Sequence, residues 1–408
     1  MEQQSPLVKG RDDNFPFRVF LAYIIPYMGQ AIYNCFGTLF LNDHGMTQTQ
    51  IGTFGAVGTI LLIFAQPIMG IMSDKSKSKG RFVAFVLFGM ALALLANYLS
   101  FTVIWLGICS ILISLFFMPS TTLQDNYTIE LLEHSKWDFG NIRLGGTLGY
   151  ATCAFLIGFI IKDNYDNIFW MSAIFFVLGG MLMLTLPKVE GHRQKKEKVK
   201  YSLIFRHRPL MVFFIFNVIY NLAGSFGRYY NIYFTTDLGG TNQLVGIMTT
   251  ISALSEIPFF WYAGRIQKKL GTRKFILIAA SATALKSLLL FLVTNPYLAL
   301  VVQLLQGVGF ASFNFCYMNF INKSVPRNMT ATAQTVCSTI SMIISAGFSI
   351  MIGAMSDAFG PGKILIFGAI TMVVGIVFFE IAFPKAVKWQ NTHPFPDEEP
   401  VILDVDSI

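Results

Sequence analysis

The chain has 408 residues, of which 54% are hydrophobic and only 13% are charged, and its mean hydropathy is +0.58. A soluble domain of this size carries about a quarter charged residues, so the composition argues against a soluble fold and predicts a surface that faces lipid. The five cysteines stand singly inside apolar stretches, with no spacing typical of a metal site or a disulfide framework.

Apolar stretches with at most one charged residue, long enough to cross about 30 Å of hydrocarbon, recur along the chain, and each predicts one or two membrane helices. In the first half they are residues 19–42, 51–73, 82–124 (two helices, broken at 97–100), 144–161 and 167–187. In the second half they are residues 210–236, 243–264, 275–294, 298–322, 331–356 and 364–383. The sequence therefore predicts an all-α membrane protein with twelve transmembrane helices in two halves of six.

Basic residues predict the orientation of these helices. Most of the 30 Lys and Arg fall on the side that holds both termini and the loops after the even-numbered helices. The opposite loops hold only Lys162 and Lys363, while Arg228 and Lys286 lie within predicted helices. Because cytoplasmic loops carry the excess of Lys and Arg, we expect a multi-pass inner-membrane protein with both termini in the cytoplasm. The same distribution argues against nucleic-acid binding, in spite of the net charge of +8.

The basic stretch between the halves divides the chain. We predict one bundle at residues 1–187, a cytoplasmic linker at 188–208, a second bundle at 209–390 and a disordered cytoplasmic tail at 391–408. The sequence contains no triad of catalytic residues, metal-binding cluster or nucleotide-binding loop. We therefore expect neither an enzyme nor a bound cofactor or metal.

Two basic loops occupy equivalent positions in the halves, at residues 70–81 and 264–274. They resemble the loop signature of the major facilitator superfamily. In that signature a glycine is followed by an acid and a base, and then by a second glycine and two basic residues. The first copy keeps Asp74 but has Lys77 where the signature has glycine, and the second has Lys268 in place of the acid. The resemblance implies two pseudo-symmetric six-helix bundles with a gating loop made by Gly70, Asp74, Lys75 and Arg81.

Within that superfamily the chain is similar to the lactose permease group of oligosaccharide:proton symporters and to the phenylpropionate permease group. Residues 66–75 resemble the end of helix 2 in lactose permeases, residues 138–150 the start of helix 5 in both groups, and residues 255–258 a helix 8 element of the phenylpropionate group. The resemblance implies alternating access around a site near the bilayer midplane.

Asp125 near the end of helix 4 and Arg143 at the start of helix 5 are the first candidate site residues. Antiparallel neighbours joined by a short turn bring these ends together, and a carboxylate and a guanidinium each bind two adjacent hydroxyls. The resemblance implies that this pair holds a sugar and that Tyr150, within one residue of the family position, stacks on it. A salt bridge that closes the cytoplasmic side is the alternative.

Polar and aromatic residues at helical spacing predict further lining of a cavity. They are Tyr27, Gln30 and Asn34 on helix 1, Asn221 and Arg228 on helix 7, and Gln306 and Asn314 on helix 10. Hydrogen bonds between helices are the alternative explanation for about half of them.

Glu256 on helix 8 and Lys286 on helix 9 are charges within the membrane, which are costly there unless they are paired or hydrated. The resemblance implies a role in substrate and proton coupling, and a structural ion pair is the alternative. The His and Glu of helix 10 in lactose permeases are absent, with Gly307 and Phe310 at their positions. Proton coupling therefore rests on Asp125 or Glu256, and sodium coupling or uniport stays open.

The function predicted is a secondary active transporter, a proton symporter that imports a small polar solute, with a sugar or glycoside as the leading candidate. Uptake of an aromatic carboxylic acid and export of drugs or other solutes are alternatives within the same fold. A non-transporting receptor or a membrane enzyme is the alternative from another class. The expected partners are the substrate, H⁺ or Na⁺ and the lipid bilayer, with the protein as a monomer.

Overall fold

A computed structural model describes residues 15–132, 137, 139–161, 164–189, 207–325 and 330–392. Within these ranges twelve helical spans are long and apolar enough to cross a membrane, and no strand is present. The predicted helix count and fold class are confirmed. Most of the predicted linker (190–206) and tail (393–408) lies outside the described residues.

The chain separates into two compact units. Unit 1 comprises Met1–Lys195 together with Gly240–Thr250, and unit 2 comprises Lys196–Gly239 together with Ile251–Ile408. The segment at 240–250, the start of the eighth span, thus packs with the first six spans. The exact limits of the linker and of the two predicted bundles stay a prediction.

In its described part, unit 1 contains six long helices, two of which are capped at their starts by local hydrogen bonds. They are α1 (Phe15–Asp43), α2 (Gln48–Asp74), α3 (Lys79–Leu95), α4 (Val103–Leu132), α5 (Phe139–Ile160) and α6 (Ile168–Thr185), with short 3₁₀ turns at Ala96–Leu99 and Tyr165–Asn167. At the start of α2, Thr47 and Gln50 form a reciprocal capping box, and the Ser78 side chain caps α3.

Glycine allows α1 to lie unusually close to α5 and α6. A Cβ atom placed on Gly149 would lie 2.5 Å from the carbonyl oxygen of Ile24, and one on Gly179 would lie 2.6 Å from the Pro26 ring. Small residues at such crossings let two membrane helices approach backbone to backbone. The helix α1 is therefore fixed in position relative to α5, which carries Arg143.

The second half of the chain has two interrupted spans. Its helices are α7 (Arg208–Ser225), α8 (Tyr230–Thr236), α9 (Asn242–Leu270), α10 (Thr272–Leu292), α11 (Pro296–Val302), α12 (Ser312–Ser324), α13 (Thr330–Phe359) and α14 (Leu365–Thr392), with a π-turn at Gly307–Ala311. An aromatic core of Phe213, Phe216, Phe313, Phe320 and Phe379 holds unit 2 together.

The membrane span predicted over residues 210–236 is present, but its helix is interrupted. The helix stops at Ser225 and resumes at Tyr230. In the turn between them, N–H groups donate to the carbonyl three residues earlier, as Arg228 N–H does to the Ser225 carbonyl at 3.1 Å. Gly224 and Gly227 weaken the helix at this point because glycine loses more backbone entropy than other residues on becoming helical. Arg228 therefore lies in a turn and not on a regular helical face.

The helix predicted over residues 298–322 is also interrupted. Regular α-helix ends at Val302, and a π-turn at Gly307–Ala311 precedes α12. Gly307 is required there because a Cβ atom would overlap the carbonyl oxygen of Ser255 on α9. The Gly307 N–H also donates to the Ser255 hydroxyl at 3.0 Å. Single π-turns of this kind are frequent at functional sites.

Candidate functional site

Unit 1 contains a charged cluster formed by Tyr23, Tyr27, Asp125 and Arg143, here called the α1–α4–α5 cluster. The Nε of Arg143 lies 3.6 Å from Oδ1 of Asp125, and the Tyr23 hydroxyl donates to the same carboxylate oxygen at 2.8 Å. The side chains of Arg143 and Asp125 are still 36% and 32% exposed. The pair is therefore accessible and not sealed in a core.

Tyrosine rings of α1 form one wall of this cluster. The Arg143 guanidinium lies over the Tyr27 ring, 4.5 Å from its centre, and the Tyr23 and Tyr27 rings stack at 6.1 Å. The Tyr27 hydroxyl is buried and has no hydrogen-bond partner among the described residues. A buried hydroxyl without a partner beside an accessible ion pair is a favourable place for a polar ligand.

Glycines of α5 bring these residues together. A Cβ atom on Gly146 would lie 3.1 Å from both the Tyr27 ring and Nη1 of Arg143, and one on Gly145 would lie 2.7 Å from the Phe20 ring. Because glycine has no side chain, the α1 side chains can pack directly against α5 at these positions and reach the Arg143 guanidinium. The local sequence of α5 thus determines the geometry of the cluster.

The other predicted residues of unit 1 lie elsewhere on the same helices. Gln30 is buried on α1 and Asn34 is exposed one turn further along. Tyr150 is half-buried on α5, seven residues beyond Arg143. Of the predicted sugar-binding set in this unit, the structure brings together Asp125, Arg143 and Tyr27.

Unit 2 contains a second charged cluster, formed by Glu256, Lys286 and Gln306 and here called the α9–α10 cluster. Lys286 Nζ donates to Oε1 of Gln306 at 2.7 Å, and Nε2 of Gln306 donates to Oε1 of Glu256 at 3.5 Å. An amide thus bridges Glu256 and Lys286, which form no direct ion pair among the described contacts. Gln306 connects the two predicted coupling residues, and its predicted contact with substrate stays a prediction.

The chemistry of lysine fixes the orientation of this amide. An ammonium group has donors only, so it must face the oxygen of Gln306. The amide nitrogen then faces Glu256 and offers it one hydrogen bond. The π-turn that begins at Gly307 sets Gln306 against α9, where Glu256 lies one residue after Ser255.

A third polar group lies between α7 and α13. Nδ2 of Asn217 donates to the Ser341 hydroxyl at 3.0 Å, and Asn221 donates to the carbonyl of Asn217 at 2.7 Å. In the turn after α7, Nη1 of Arg228 donates to the Ser349 hydroxyl at 2.8 Å.

Asn314, the remaining predicted residue of helix 10, makes a local contact. Its Nδ2 donates to the Phe310 carbonyl at 2.9 Å. This hydrogen bond satisfies an acceptor inside the π-turn at Gly307–Ala311. It therefore supports the local backbone of the interrupted helix.

Comparison with known proteins decides the family. The sequence profile of the MFS_1 like family matches residues 19–369 of the chain. The chain belongs to this family. It is a multi-pass membrane transporter of the major facilitator fold, which acts on a small molecule, and the predicted superfamily is confirmed.

Individual relatives agree with the family. The uncharacterized transporter YwbF of Bacillus subtilis (strain 168) is 25% identical over 330 residues, covering 78% of this chain and 80% of that protein. The lactose permease of Klebsiella oxytoca is 20% identical over 403 residues, covering 91% and 95%. The crystal structure of the nucleoside transporter NupG superposes with a TM-score of 0.77 at 18% identity, covering 91% of this chain and 99% of that one.

In this transporter the predicted gating loop is centred on a residue outside the predicted set. Lys79 is only 5% exposed, and its Nζ lies 2.5 Å from Oε1 of Glu130 and 3.2 Å from Oδ1 of Asp74. Lys75 and Arg81, which were predicted with Asp74, are exposed. One ammonium group thus connects the start of α3 with the ends of α2 and α4.

Sequence reasoning missed Lys79 because it counted the loop's bases together. The signal that distinguishes it is the capping residue Ser78, which makes Lys79 the first residue of α3. Tyr23 shares a helical face with Tyr27, and its hydroxyl contacts Asp125 directly. In unit 2 a comparable ion pair joins Arg273 and Glu380 at 2.5 Å.

Proposed function

We propose that this transporter imports a sugar or glycoside together with a proton, by alternating access. We place it in the cytoplasmic membrane as a monomer, with both termini in the cytoplasm. The α1–α4–α5 cluster carries the proposal, because it combines an accessible carboxylate, a guanidinium and a tyrosine wall. These are the groups that bind vicinal hydroxyls and the apolar face of a pyranose.

The substrate role is assigned to Asp125 and Arg143. They are 3.6 Å apart, outside ideal hydrogen-bond distance, so each keeps donors or acceptors for a ligand. The unpartnered Tyr27 hydroxyl supplies a further hydrogen bond at the same place. The similarity to a lactose permease over nearly the whole chain supports a sugar as substrate.

The coupling role is assigned to Glu256. Asp125 receives a hydrogen bond from Tyr23 and faces Arg143, an arrangement that stabilises its charged form. Among the described residues, Glu256 accepts a single weaker hydrogen bond, at 3.5 Å, from a neutral amide. Protonation of Glu256 leaves the hydrogen bond between Lys286 and Gln306 in place, so the ammonium group keeps a hydrogen-bond partner in the membrane. We therefore infer that Glu256 takes up and releases the coupled proton.

The proposal is tested by uptake into proteoliposomes, with proton and sodium gradients imposed separately. A panel of methyl glycosides, disaccharides and aromatic acids covers the substrate classes in question. We expect glycoside accumulation driven by the proton gradient alone. Asp125→Asn and Arg143→Ala should abolish it, whereas Lys363→Gln, an exposed loop change, should not.

Other outcomes would replace the proposal. Accumulation of an aromatic acid with no response to glycosides would assign the protein to that substrate class. Uptake driven only by a sodium gradient would show that Na⁺ is the coupled ion. Extrusion of solutes would show that the protein exports its substrate. Normal uptake in folded Asp125→Asn and Arg143→Ala variants would leave the cluster a structural role.

A further inference from the structure

Arg228 is a cation in a membrane span that the proposed mechanism does not use. It lies in the turn between α7 and α8, eight residues before the end of α8 at Thr236. At 1.5 Å per residue this is roughly 12 Å inside the span. Charged residues at such depth are costly and mark substrate or ion pathways by default.

The neighbours of Arg228 do not neutralise it. Its guanidinium donates to the neutral Ser349 hydroxyl at 2.8 Å, and in the described part of the chain no carboxylate lies within 4 Å of it. Asp357 of α13 and Arg228 both act electrostatically on Tyr229, the residue that follows Arg228, and no ion pair joins this acid to Arg228 among the described residues. The Arg143 and Arg273 guanidiniums, by contrast, each face an acid.

Open space lies beside Arg228 on α7. A Cβ atom built on Gly224, one turn before Arg228, meets no atom within 4 Å. Asn221, one turn earlier still, is exposed, as is Arg228 itself. Arg228 therefore lies on an exposed and uncrowded part of this span.

The amide of Asn221 presents an acceptor to the same space. Its Nδ2 must face the Asn217 carbonyl, which accepts only, at 2.7 Å, and it also reaches Oδ1 of Asn217 at 3.1 Å. The side-chain oxygen of Asn221 accepts no hydrogen bond from the described residues. An acceptor for a hydroxyl and a guanidinium for an anion thus stand two turns of chain apart.

We propose that Arg228 binds the carboxylate of the transported solute, which makes the substrate a sugar acid, such as a glycosiduronate, and not a neutral sugar. This inference rests on the proposed function and names its substrate class. A guanidinium binds a carboxylate through two parallel hydrogen bonds, a geometry that an ammonium group or a neutral amide does not reproduce. The Ser349 hydroxyl holds the guanidinium plane, and Asn221 accepts from a sugar hydroxyl.

A matched pair of solutes tests the inference in proteoliposomes. Methyl β-D-glucopyranosiduronate and methyl β-D-glucopyranoside differ only in a carboxylate against a hydroxymethyl group. We expect the wild type to take up the uronate with a KM at least about 10-fold lower, the discrimination of one good charge-assisted contact. Arg228→Gln should erase this preference by raising the KM for the uronate, with the KM for the neutral glycoside within about 2-fold of the wild type.

Two further variants separate a specific contact from general charge and folding effects. Arg228→Lys keeps the positive charge but cannot form the two parallel hydrogen bonds of a guanidinium, so it should give an intermediate KM for the uronate. Lys363→Gln removes one exposed base of the same half and should leave the preference unchanged. In detergent micelles free of lipid, the uronate should raise the melting temperature of the wild type and not of Arg228→Gln, which distinguishes a solute carboxylate from a lipid phosphate.

The outcomes separate this inference from the proposed function. Uptake of the neutral glycoside at equal or lower KM in the wild type would overturn the sugar-acid assignment and leave sugar transport standing. An equal loss for both solutes in a folded Arg228→Gln variant would also overturn it. Uptake of 3-phenylpropionate with neither glycoside transported would overturn both.

Discussion

The two charged clusters of this transporter differ in how their charges meet. In the α1–α4–α5 cluster the acid and base face each other directly at 3.6 Å, on helices that run without interruption. In the α9–α10 cluster the amide of Gln306 separates Glu256 from Lys286, next to a π-turn. One cluster is a fixed pair, and the other is a chain of hydrogen bonds next to an irregular backbone.

This difference indicates a division of labour. A fixed pair on tightly packed helices suits recognition, because the ligand finds its partners already oriented. A carboxyl group that can gain a proton while the neighbouring ammonium keeps its hydrogen bond suits coupling. Interrupted helices are a common setting for ion and substrate sites in transporters, since their free backbone groups can be exposed to a cavity.

The largest effect is expected from neutralising each acid in turn. Asp125→Asn should lower both solute exchange and accumulation by about 100-fold, the loss of roughly 2.7 kcal/mol of binding. Glu256→Gln should keep exchange within a few-fold of the wild type and abolish accumulation. Radiolabelled counterflow and gradient-driven uptake measure the two properties separately. Equal losses in both assays for both variants would remove the proposed division.

The ion-pair centres of the two units give the next largest effect. Lys79→Met leaves two acids, Asp74 and Glu130, without their shared base, whereas Arg273→Met leaves only Glu380. We expect Lys79→Met to lower the unfolding free energy by about 2–3 kcal/mol, since its partners are partly hydrated, and Arg273→Met by less. Thermal unfolding in detergent measures this, with Lys75→Met as the exposed control. A larger loss for Arg273→Met would contradict the comparison.

Two glycine-to-alanine changes compare the packing of α5 with that of α7. Gly149→Ala forces a methyl group to 2.5 Å from the Ile24 carbonyl oxygen, so it should destabilise unit 1 by about 1–3 kcal/mol. Gly224→Ala meets no atom within 4 Å and should be neutral or stabilise by about 0.5–1 kcal/mol. Melting temperatures of the purified variants test the sign of each change. A stable Gly149→Ala variant would show that α1 moves away without cost.

The last prediction compares the residues that cap the starts of α3 and α7 and concerns the dependence of stability on pH. Ser78 caps α3 and does not titrate, whereas His207 caps α7, accepts from the Leu210 N–H at 3.2 Å and is 8% exposed. Burial lowers the pKa of His207 from 6.5 to about 4, so the unfolded state binds more protons between these values. Stability should therefore fall as pH drops through this range, by about 1–2 kcal/mol from pH 7 to pH 5.

His207→Asn supplies the control for this pH dependence. Asparagine keeps the capping acceptor without a group that titrates near neutral pH. The variant should lose the part of the decline between pH 7 and pH 5 that belongs to His207, measured as the change in melting temperature. An unchanged decline would assign the pH dependence to other groups.

The sequence predicted the helices well because each crosses the membrane as a long apolar run with at most one charged residue. The breaks at Phe226–Tyr229 and Gly307–Ala311 were not predictable in this way, since glycine lowers helix stability without specifying where the backbone departs from regularity. The proximity of Asp125 and Arg143 followed from antiparallel helices joined by a short loop. The bridging role of Gln306 and the ion pair of Lys79 with Glu130 could not be predicted, because they depend on contacts between helices far apart in sequence.

Proton movement by Glu256 is tested most directly in a lightly buffered suspension of de-energised proteoliposomes. When the transported solute is added to wild-type proteoliposomes, the external pH should rise, and the size of the rise should correspond to about one proton taken up for each solute molecule. Glu256→Gln should take up the solute to equilibrium with no rise in pH. A rise of wild-type size in Glu256→Gln would contradict the assignment of the coupled proton to this carboxyl group.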